Sequence, residues 1–181
     1  MPEPLYQTIK ERFQLGPAHH MTHHQNLESI FECGNLQSYN RMRGRTYFNL
    51  SNEDVQKGRA GIRIKETDRP LHDYVPLYFG FKTPMVARNQ DQNDNLLFLR
   101  FSLDILSLQG VVISDGNARS IDTQFKVFKT IDDLAVIDSK AIQTVKYAHD
   151  LDLKRKKQAE VLVPDSLPID HLLDPGYYLL F

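Results

Sequence analysis

The stretch Lys154–Val163, with the sequence KRKKQAEVLV, constrains the fold and chemistry of this chain more than any other segment. Four consecutive cations are separated by two residues from the carboxylate Glu160, which opens a short apolar run ending before Pro164. Such a run predicts a brief buried strand. A carboxylate on rigid backbone beside a basic run suits chemistry performed next to a phosphate chain. The alternative is a glutamate on an edge strand, beside a solvated run of charges.

Length and charge narrow the class of protein further. A chain of 181 residues predicts one domain, residues 1–181. The net charge is only −1, so nucleic-acid binding must depend on local basic clusters. The single cysteine, Cys33, excludes an internal disulfide and a cysteine-rich metal site. No apolar run approaches the roughly 18 residues of a membrane span and no signal peptide is recognised, so we expect a cytoplasmic protein without membrane contact.

Short strands and helices are interspersed along the chain, and this order predicts an α+β fold. A helix after Asn26 should end at Gly34, because glycine adopts the left-handed conformation of a helix C-cap. Pro76 places its strand at a sheet edge or at a bulge. Residues 41–50 are expected to be irregular. The predicted helices are Leu5–Leu15, Asp54–Ala60 and Ser139–His149, and the predicted strands are Tyr74–Gly80, Leu96–Leu103, Gly110–Ser114, Glu160–Val163 and Tyr177–Phe181.

Four sequence blocks, in this order, resemble one protein family. The blocks are His20-Met21-Thr22-His23 with Asn26-Leu27, His72–Phe79 with Thr83-Pro84-Met85, Ser114–Ala118, and Gln158–Val163. They are similar to the blocks of the DarT family, the DNA ADP-ribosyltransferase toxins of bacterial toxin–antitoxin pairs. Leu77 stands where the family pattern leads us to expect an aromatic residue, and Arg119–Lys157 carries no recognisable family motif.

The resemblance implies a fold, an activity and partners. The fold would be the α+β ADP-ribosyltransferase fold, with two packed and mostly antiparallel sheets, flanking helices and a central NAD cleft. The activity would be transfer of ADP-ribose from NAD, as co-substrate, to thymidine or guanosine in single-stranded DNA, with release of nicotinamide. The expected partners are single-stranded DNA, NAD and a cognate DarG-like antitoxin that hydrolyses the ADP-ribosyl product. No metal is expected.

The resemblance also assigns catalytic roles. Glu160 matches the family's catalytic glutamate, and its carboxylate can hold the ribose 2-hydroxyl, offset positive charge, or accept a proton from the attacking base. Arg59 resembles the functional arginine, which would act in catalysis and bind NAD through a phosphate, with Arg63 as a rival.

Four further residues are expected to bind NAD: His20, Thr22, Asn26 and Tyr78. Capping and surface polarity are the alternative for the first three residues, and plain core packing is the alternative for Tyr78. A zinc site would place His20 and His24 on one helical face, but no glutamate follows the first histidine.

The basic run is expected to bind the DNA backbone through Lys154, Arg155, Lys156 and Lys157. Three other functions stay open at this point. The chain could be a single-strand-binding module without catalysis, because basic and aromatic residues suffice for that. It could also be a transferase of the same fold that acts on RNA or protein, or a metal-dependent nuclease.

Overall fold

A computed structural model describes residues 5–50, 53–84, 86, 89, 94–146, 149–173 and 178–179. Met85 and most of the predicted strand Tyr177–Phe181 lie outside the described residues. The helices are α1 (Leu5–Phe13), α2 (Leu27–Cys33), α3 (Glu53–Ala60), α4 (Ser139–Gln143) and α5 (Leu151–Lys156). The strands are β1 (Ala18–His23), β2 (Asn35–Gln37), β3 (Arg63–Ile64), β4 (Arg69–Pro70), β5 (Tyr74–Tyr78), β6 (Leu96–Phe101), β7 (Val112–Ser114), β8 (Phe125–Val127), β9 (Glu160–Pro164), β10 (Ser166–Pro168) and β11 (Tyr178–Leu179).

The strands form one seven-stranded sheet in the order β11-β6-β1-β5-β9-β7-β8, and two small sheets, β10-β2 and β3-β4. All pairs between these strands are antiparallel. Helices flank this framework, so the predicted α+β class is confirmed. Strand β9, which begins at Glu160, pairs with β5 on one side and β7 on the other. Glu160 therefore lies on an inner strand of the large sheet.

Pro76 lies on an inner strand of the large sheet, so the predicted edge position is wrong, while the bulge alternative stays a prediction. Its strand, β5, runs between β1 and β9, but its only registered pair with β1 joins His19 to Tyr78. The carbonyl oxygen of Pro76 lies 3.0 Å from Nδ1 of His20 on β1. Because the nitrogen and oxygen of one strand residue point to the same neighbour, the nitrogen of Pro76 also faces β1. The two strands diverge there, so the missing donor of Pro76 breaks no ladder bond.

The two faces of the large sheet bury separate groups of side chains, because side chains alternate along a strand. The main core lies on the face that carries Val75, Leu77, Val161 and Val163, and it includes Ile9 of α1. The second face carries a smaller cluster with Tyr74, Val112, Ala118 and Leu162. Alternation along β9 places Glu160 on this second face.

The helix boundaries follow the sequence signals in part. Gly34 ends α2 with φ of 66°, as predicted. The predicted helix Ser139–His149 is wrong at Thr144, which is extended and follows the last helical residue, Gln143. Tyr147 and Ala148 lie outside the described residues. The Nζ of Lys157 donates to the carbonyl oxygens of Ile142 and Thr144. A continuing helix would use those carbonyls for its own hydrogen bonds.

Candidate active site

Glu160 forms a buried ion pair with Arg59 of α3. Nη1 of Arg59 donates to Oε1 at 3.2 Å, and Nη2 donates to Oε2 at 3.0 Å. The Glu160 side chain is 1% exposed and the Arg59 side chain is 11% exposed. Burial alone lowers the pKa of Arg59, but the charge and hydrogen bonds of Glu160 outweigh burial and raise that pKa overall. The pair is the two-pronged geometry in which guanidinium and carboxylate bind most strongly.

The backbone around Glu160 fixes its carboxylate from a third direction. The backbone N–H of Ala118 donates to Oε1 at 3.0 Å. The backbone N–H of Glu160 donates to Oγ of Ser114 at 3.1 Å, and that hydroxyl donates to the carbonyl oxygen of Gly116 at 2.8 Å. The family-like block Ser114–Ala118 therefore acts on Glu160 directly. The sequence resembles the family in this block but assigns no role to Ser114 or Ala118, so neither contact was predicted.

Tyr78 stands directly opposite Glu160 in the register of β5 and β9. Opposed residues of an antiparallel pair share one face of the sheet. Burial, followed by the negative charge of Glu160, raises the pKa of the Tyr78 hydroxyl well above its usual range. Tyr78 is therefore a neutral phenol beside the ion pair at physiological pH, and it keeps a proton to donate.

A cavity of about 270 Å³ lies near this pair, although neither Arg59 nor Glu160 lines it. Gln56 of α3 lines it and lies three residues before Arg59, on the same side of the helix. Pro76 of β5 also lines it and lies two residues before Tyr78, on the same face of the strand. His20 of β1 and Pro76 of β5 both line the cavity, so it lies where these two strands diverge. Other lining residues include His20, Thr22, Asn26 and Phe48.

Three of the four residues predicted to bind NAD line this cavity. Asn26 Nδ2 donates to Oγ1 of Thr22 at 3.2 Å and to the carbonyl oxygen of Phe48 at 2.9 Å, while its Oδ1 accepts the Phe48 N–H at 2.8 Å. Asn26 precedes α2 but makes no side-chain capping bond. It holds the cavity wall around Phe48 instead. Burial lowers the pKa of His20, so its imidazole is neutral at pH 7 and can both donate and accept hydrogen bonds.

The two candidate arginines occupy different places. Arg59 contacts Glu160, whereas the side chain of Arg63 is 57% exposed and pairs with Asp68 at 2.6 Å. Of the two, therefore, Arg59 is the one that can act together with Glu160.

The basic run does not form a single surface patch. Lys157 is 1% exposed, and its ammonium group binds backbone carbonyls inside the protein. The Arg155 side chain is 13% exposed and pairs with Asp115 at 2.9 Å and with Asp152 at 3.1 Å. The predicted DNA contacts are therefore wrong for Arg155 and Lys157, because successive residues of a helical turn point in different directions.

The other two cations of the run stay accessible. Lys154 is exposed, and Lys156 is partly exposed while it pairs with Asp152 at 2.7 Å. Their role at DNA stays a prediction.

The histidines near the N-terminus do not have the geometry of a zinc-binding helix. His20 lies in β1 and His24 lies in the short 3₁₀ turn that follows. Across the described ranges, no group of three or more His, Cys, Asp or Glu side chains could hold a metal ion. None of the helices that the structure describes is long and apolar enough to cross a membrane.

Comparison with known proteins places this site in a family context. A family model described as ssDNA thymidine ADP-ribosyltransferase, DarT, matches residues 19–174. A DNA ADP-ribosyl transferase of Thermus aquaticus is 34% identical over 160 residues, covering 83% of this chain and 69% of the relative. A DNA ADP-ribosyl transferase–DNA ADP-ribosyl glycohydrolase fusion protein of Thermosipho africanus is 29% identical over 170 residues, covering 88% of this chain and 40% of the fusion.

Solved structures agree with these sequence matches. The structure of Thermus sp. 2.9 DarT in complex with ADP-ribosylated ssDNA superposes with a TM-score of 0.79 at 27% identity, covering 88% of this chain and 79% of that one. The structure of the same protein in complex with NAD+ superposes with a TM-score of 0.71 at 27% identity, covering 86% and 78%.

Proposed function

The chain belongs to the DarT family and is an NAD-dependent DNA ADP-ribosyltransferase, and from that premise we propose that it modifies thymidine in single-stranded DNA with Glu160 and Arg59 as catalytic residues. The observation that carries the assignment is the buried, two-pronged Arg59–Glu160 pair, close to a cavity that His20, Thr22 and Asn26 line. The description of the family model supports thymidine as the acceptor. Guanosine is the alternative base that the experiment below distinguishes.

Glu160 is proposed to act on the ribose of NAD. In the transfer, the bond between the ribose anomeric carbon and nicotinamide breaks, and nicotinamide leaves with the electron pair. A ring nitrogen of the base then bonds to the same carbon and loses its proton. The carboxylate offsets the positive charge that develops on the ribose, holds the 2-hydroxyl and can accept the proton. Burial strengthens this effect, because water screens a buried charge poorly.

Arg59 is proposed to orient Glu160 and to bind a phosphate of NAD. Its guanidinium has five N–H donors in a fixed fork, so it can keep a hydrogen bond to Glu160 while it binds a phosphate oxygen. It also compensates the negative charge of a carboxylate that is almost fully buried. Substrate binding would therefore share the guanidinium between two anions instead of leaving the carboxylate unpaired.

NAD is the co-substrate, and we place it in the cavity between β1 and β5. His20 and Thr22 offer hydrogen bonds to ribose hydroxyls or to the nicotinamide amide, while Asn26 holds the wall around Phe48. Tyr78, on the Glu160 side, presents a neutral hydroxyl. The cavity is smaller than the usual volume of ligand pockets, about 300–1,000 Å³, so a dinucleotide would fill it and extend toward Glu160.

The decisive experiment is mass spectrometry of a mixed-sequence single-stranded oligonucleotide incubated with the protein and NAD. We expect one ADP-ribose adduct on thymidine and an equal amount of released nicotinamide. Glu160→Gln, which preserves the side-chain shape, should abolish both products. An adduct on guanosine would correct the base. Modification of RNA or protein with unmodified DNA would overturn the proposed acceptor.

We further propose that the protein is the toxin of a toxin–antitoxin pair, with a DarG-like ADP-ribosyl hydrolase as antitoxin. The Thermosipho africanus relative, in which a transferase and a glycohydrolase are fused, supports this pairing. Induced expression of the protein should arrest growth, and co-expression of a DNA ADP-ribosyl glycohydrolase should restore it. Growth arrest by Glu160→Gln equal to that of the wild type would contradict a toxic role for DNA modification.

A further inference from the structure

Gly58 sits in α3 directly before Arg59, although glycine is among the least favourable residues in a helix interior. The space next to it is occupied by Arg119. A Cβ atom added at Gly58 would lie 2.4 Å from Nε of Arg119 and 3.1 Å from its Cδ and Cζ. The glycine therefore leaves room for the Arg119 side chain to lie across the helix that carries Arg59.

Arg119 is exposed, and no residue that the structure describes compensates its charge. No carboxylate in the described part of the chain pairs with its guanidinium, although its backbone N–H donates to Oδ1 of Asn117 at 2.9 Å. Other arginines do pair with carboxylates, namely Arg12, Arg41, Arg59, Arg63, Arg69 and Arg155. Arg119 thus presents an accessible positive charge beside the candidate active site.

The strand that precedes Arg119 and the strands that border the cavity lie on opposite sides of β9 in the sheet. The cavity opens between β1 and β5, Glu160 begins β9, and Arg119 follows β7 by five residues. In the sheet these strands run in the order β1-β5-β9-β7, with neighbours about 4.8 Å apart. An acceptor that approaches from the β7 side would therefore reach Glu160 without displacing a ligand from the cavity.

The loop that carries Arg119 is held rigidly against the active site. The preceding residue, Ala118, donates its N–H to Glu160, and Thr123 Oγ1 donates to the carbonyl oxygen of Asn117 at 2.7 Å. Arg155 also holds the loop in place, because its carbonyl oxygen accepts the Asn117 N–H at 2.9 Å and its guanidinium pairs with Asp115. Arg155 is thus a positioning residue for this loop.

We propose that Arg119 binds a phosphate of the acceptor DNA strand and thereby positions the target base at Glu160, an inference that rests on the proposed function. A guanidinium suits this task because its fork matches phosphate oxygens. Its fixed place next to Arg59 and Ala118 makes the contact useful, because a preorganised charge sets the register of the strand relative to the reacting carboxylate.

The test compares Arg119→Gln with Lys10→Gln, which removes an exposed cation from α1 on the other face of the sheet. Salt titrations of single-stranded DNA binding, without NAD, should show a slope reduced by about 0.7 in Arg119→Gln, the value of one phosphate contact. The KM for the oligonucleotide should rise with little change in kcat, and NAD affinity by calorimetry should stay constant. Arg119→Lys should keep the salt slope, and Lys10→Gln should match the wild type.

Gly58→Ala provides a second test that leaves every charge in place. The added methyl group meets the far end of a flexible side chain, so Arg119 must move while α3 gains a better helix former. We expect a raised KM for DNA without a lower melting temperature.

A wild-type KM and salt slope in Arg119→Gln would overturn the proposal, as would a loss of NAD affinity with unchanged DNA binding. Absence of DNA modification by the wild-type protein would instead contradict the proposed function, and the NAD-free salt slope would still test the phosphate contact.

Discussion

Truncating Glu160 to alanine should destabilise the fold as well as stop the reaction. The substitution leaves the Arg59 guanidinium, 11% exposed, without its carboxylate, and it leaves the Ala118 N–H without its acceptor. Removing one partner of a buried ion pair costs about 3–5 kcal/mol, because the remaining charge is desolvated and uncompensated. That is a large part of the roughly 5–15 kcal/mol by which a domain is stable.

The expected loss is measurable in two ways. For a domain of this length, each kcal/mol lowers the melting temperature by about 2–4 °C, so Glu160→Ala should melt about 6–20 °C below the wild type. Urea unfolding, extrapolated linearly to water, gives the same loss as a free energy. An activity assay of this variant therefore requires a parallel measurement of the folded fraction, and Glu160→Gln is the better probe of chemistry.

A double-mutant cycle separates the pair from its surroundings. Arg59→Ala leaves a buried carboxylate with Ala118 as its remaining hydrogen-bond donor, whereas the double variant removes both charges. The double variant should therefore lose less stability than the two single variants added together, with a coupling of about 0.5–3 kcal/mol. A loss below about 1 kcal/mol in Glu160→Ala, or strictly additive losses, would show that the pair is solvated and would refute the reasoning.

Three further perturbations follow from single contacts. Burial lowers the pKa of His19 to about 4, whereas the unfolded chain binds this proton below about pH 6.5. About 3 kcal/mol of the free energy of unfolding should therefore be lost as the pH falls from 6.5 to 4. His19→Gln should flatten this pH dependence of stability, measured by urea titrations. Lys157→Met orphans two buried carbonyls and should lose about 1–3 kcal/mol in urea unfolding, whereas Lys154→Ala should stay within about 0.5 kcal/mol of the wild type. Asn26→Ala releases the backbone of Phe48 and should weaken NAD binding measured by calorimetry, with DNA affinity unchanged.

Each of these has a clear contrary result. If the stability of His19→Gln depends on pH as that of the wild type does, groups other than His19 cause the loss of stability in acid. Equal stability of the two lysine variants would mean that the Lys157 ammonium is not buried in solution. Wild-type NAD affinity in Asn26→Ala would return that residue to a purely structural role.

The catalytic strand could be predicted because its determinants are local. The short apolar run after Glu160 correctly predicted strand β9, and Gly34 correctly predicted the end of α2. The family-like blocks also indicated which residues to examine together, and the structure brings Arg59 to Glu160 across 101 positions of sequence. Periodicity alone could not have found that pair, because it depends on how α3 crosses the sheet.

The errors share a different cause, since each depends on a distant partner. From its sequence alone, Pro76 is predicted to lie on an edge strand. In the structure, β1 diverges from β5 at the position where a residue other than proline would donate its backbone N–H to β1. The helix that starts at Ser139 has a helical pattern beyond Gln143, yet Lys157 takes two of its carbonyls. Such partners are chosen by tertiary packing, which a local pattern does not encode.

The basic run shows why charge along a sequence differs from charge available to DNA. Four adjacent cations gave the strongest sequence signal, but Arg155 and Lys157 are used inside the protein. Arg119 lies in a segment without a basic cluster, yet it meets no carboxylate within the described residues. A polyanion responds to cations that are exposed and unpaired, because a paired charge releases few counterions on binding. We therefore expect DNA to pass Arg119 and the exposed Lys154, rather than to follow the basic run itself.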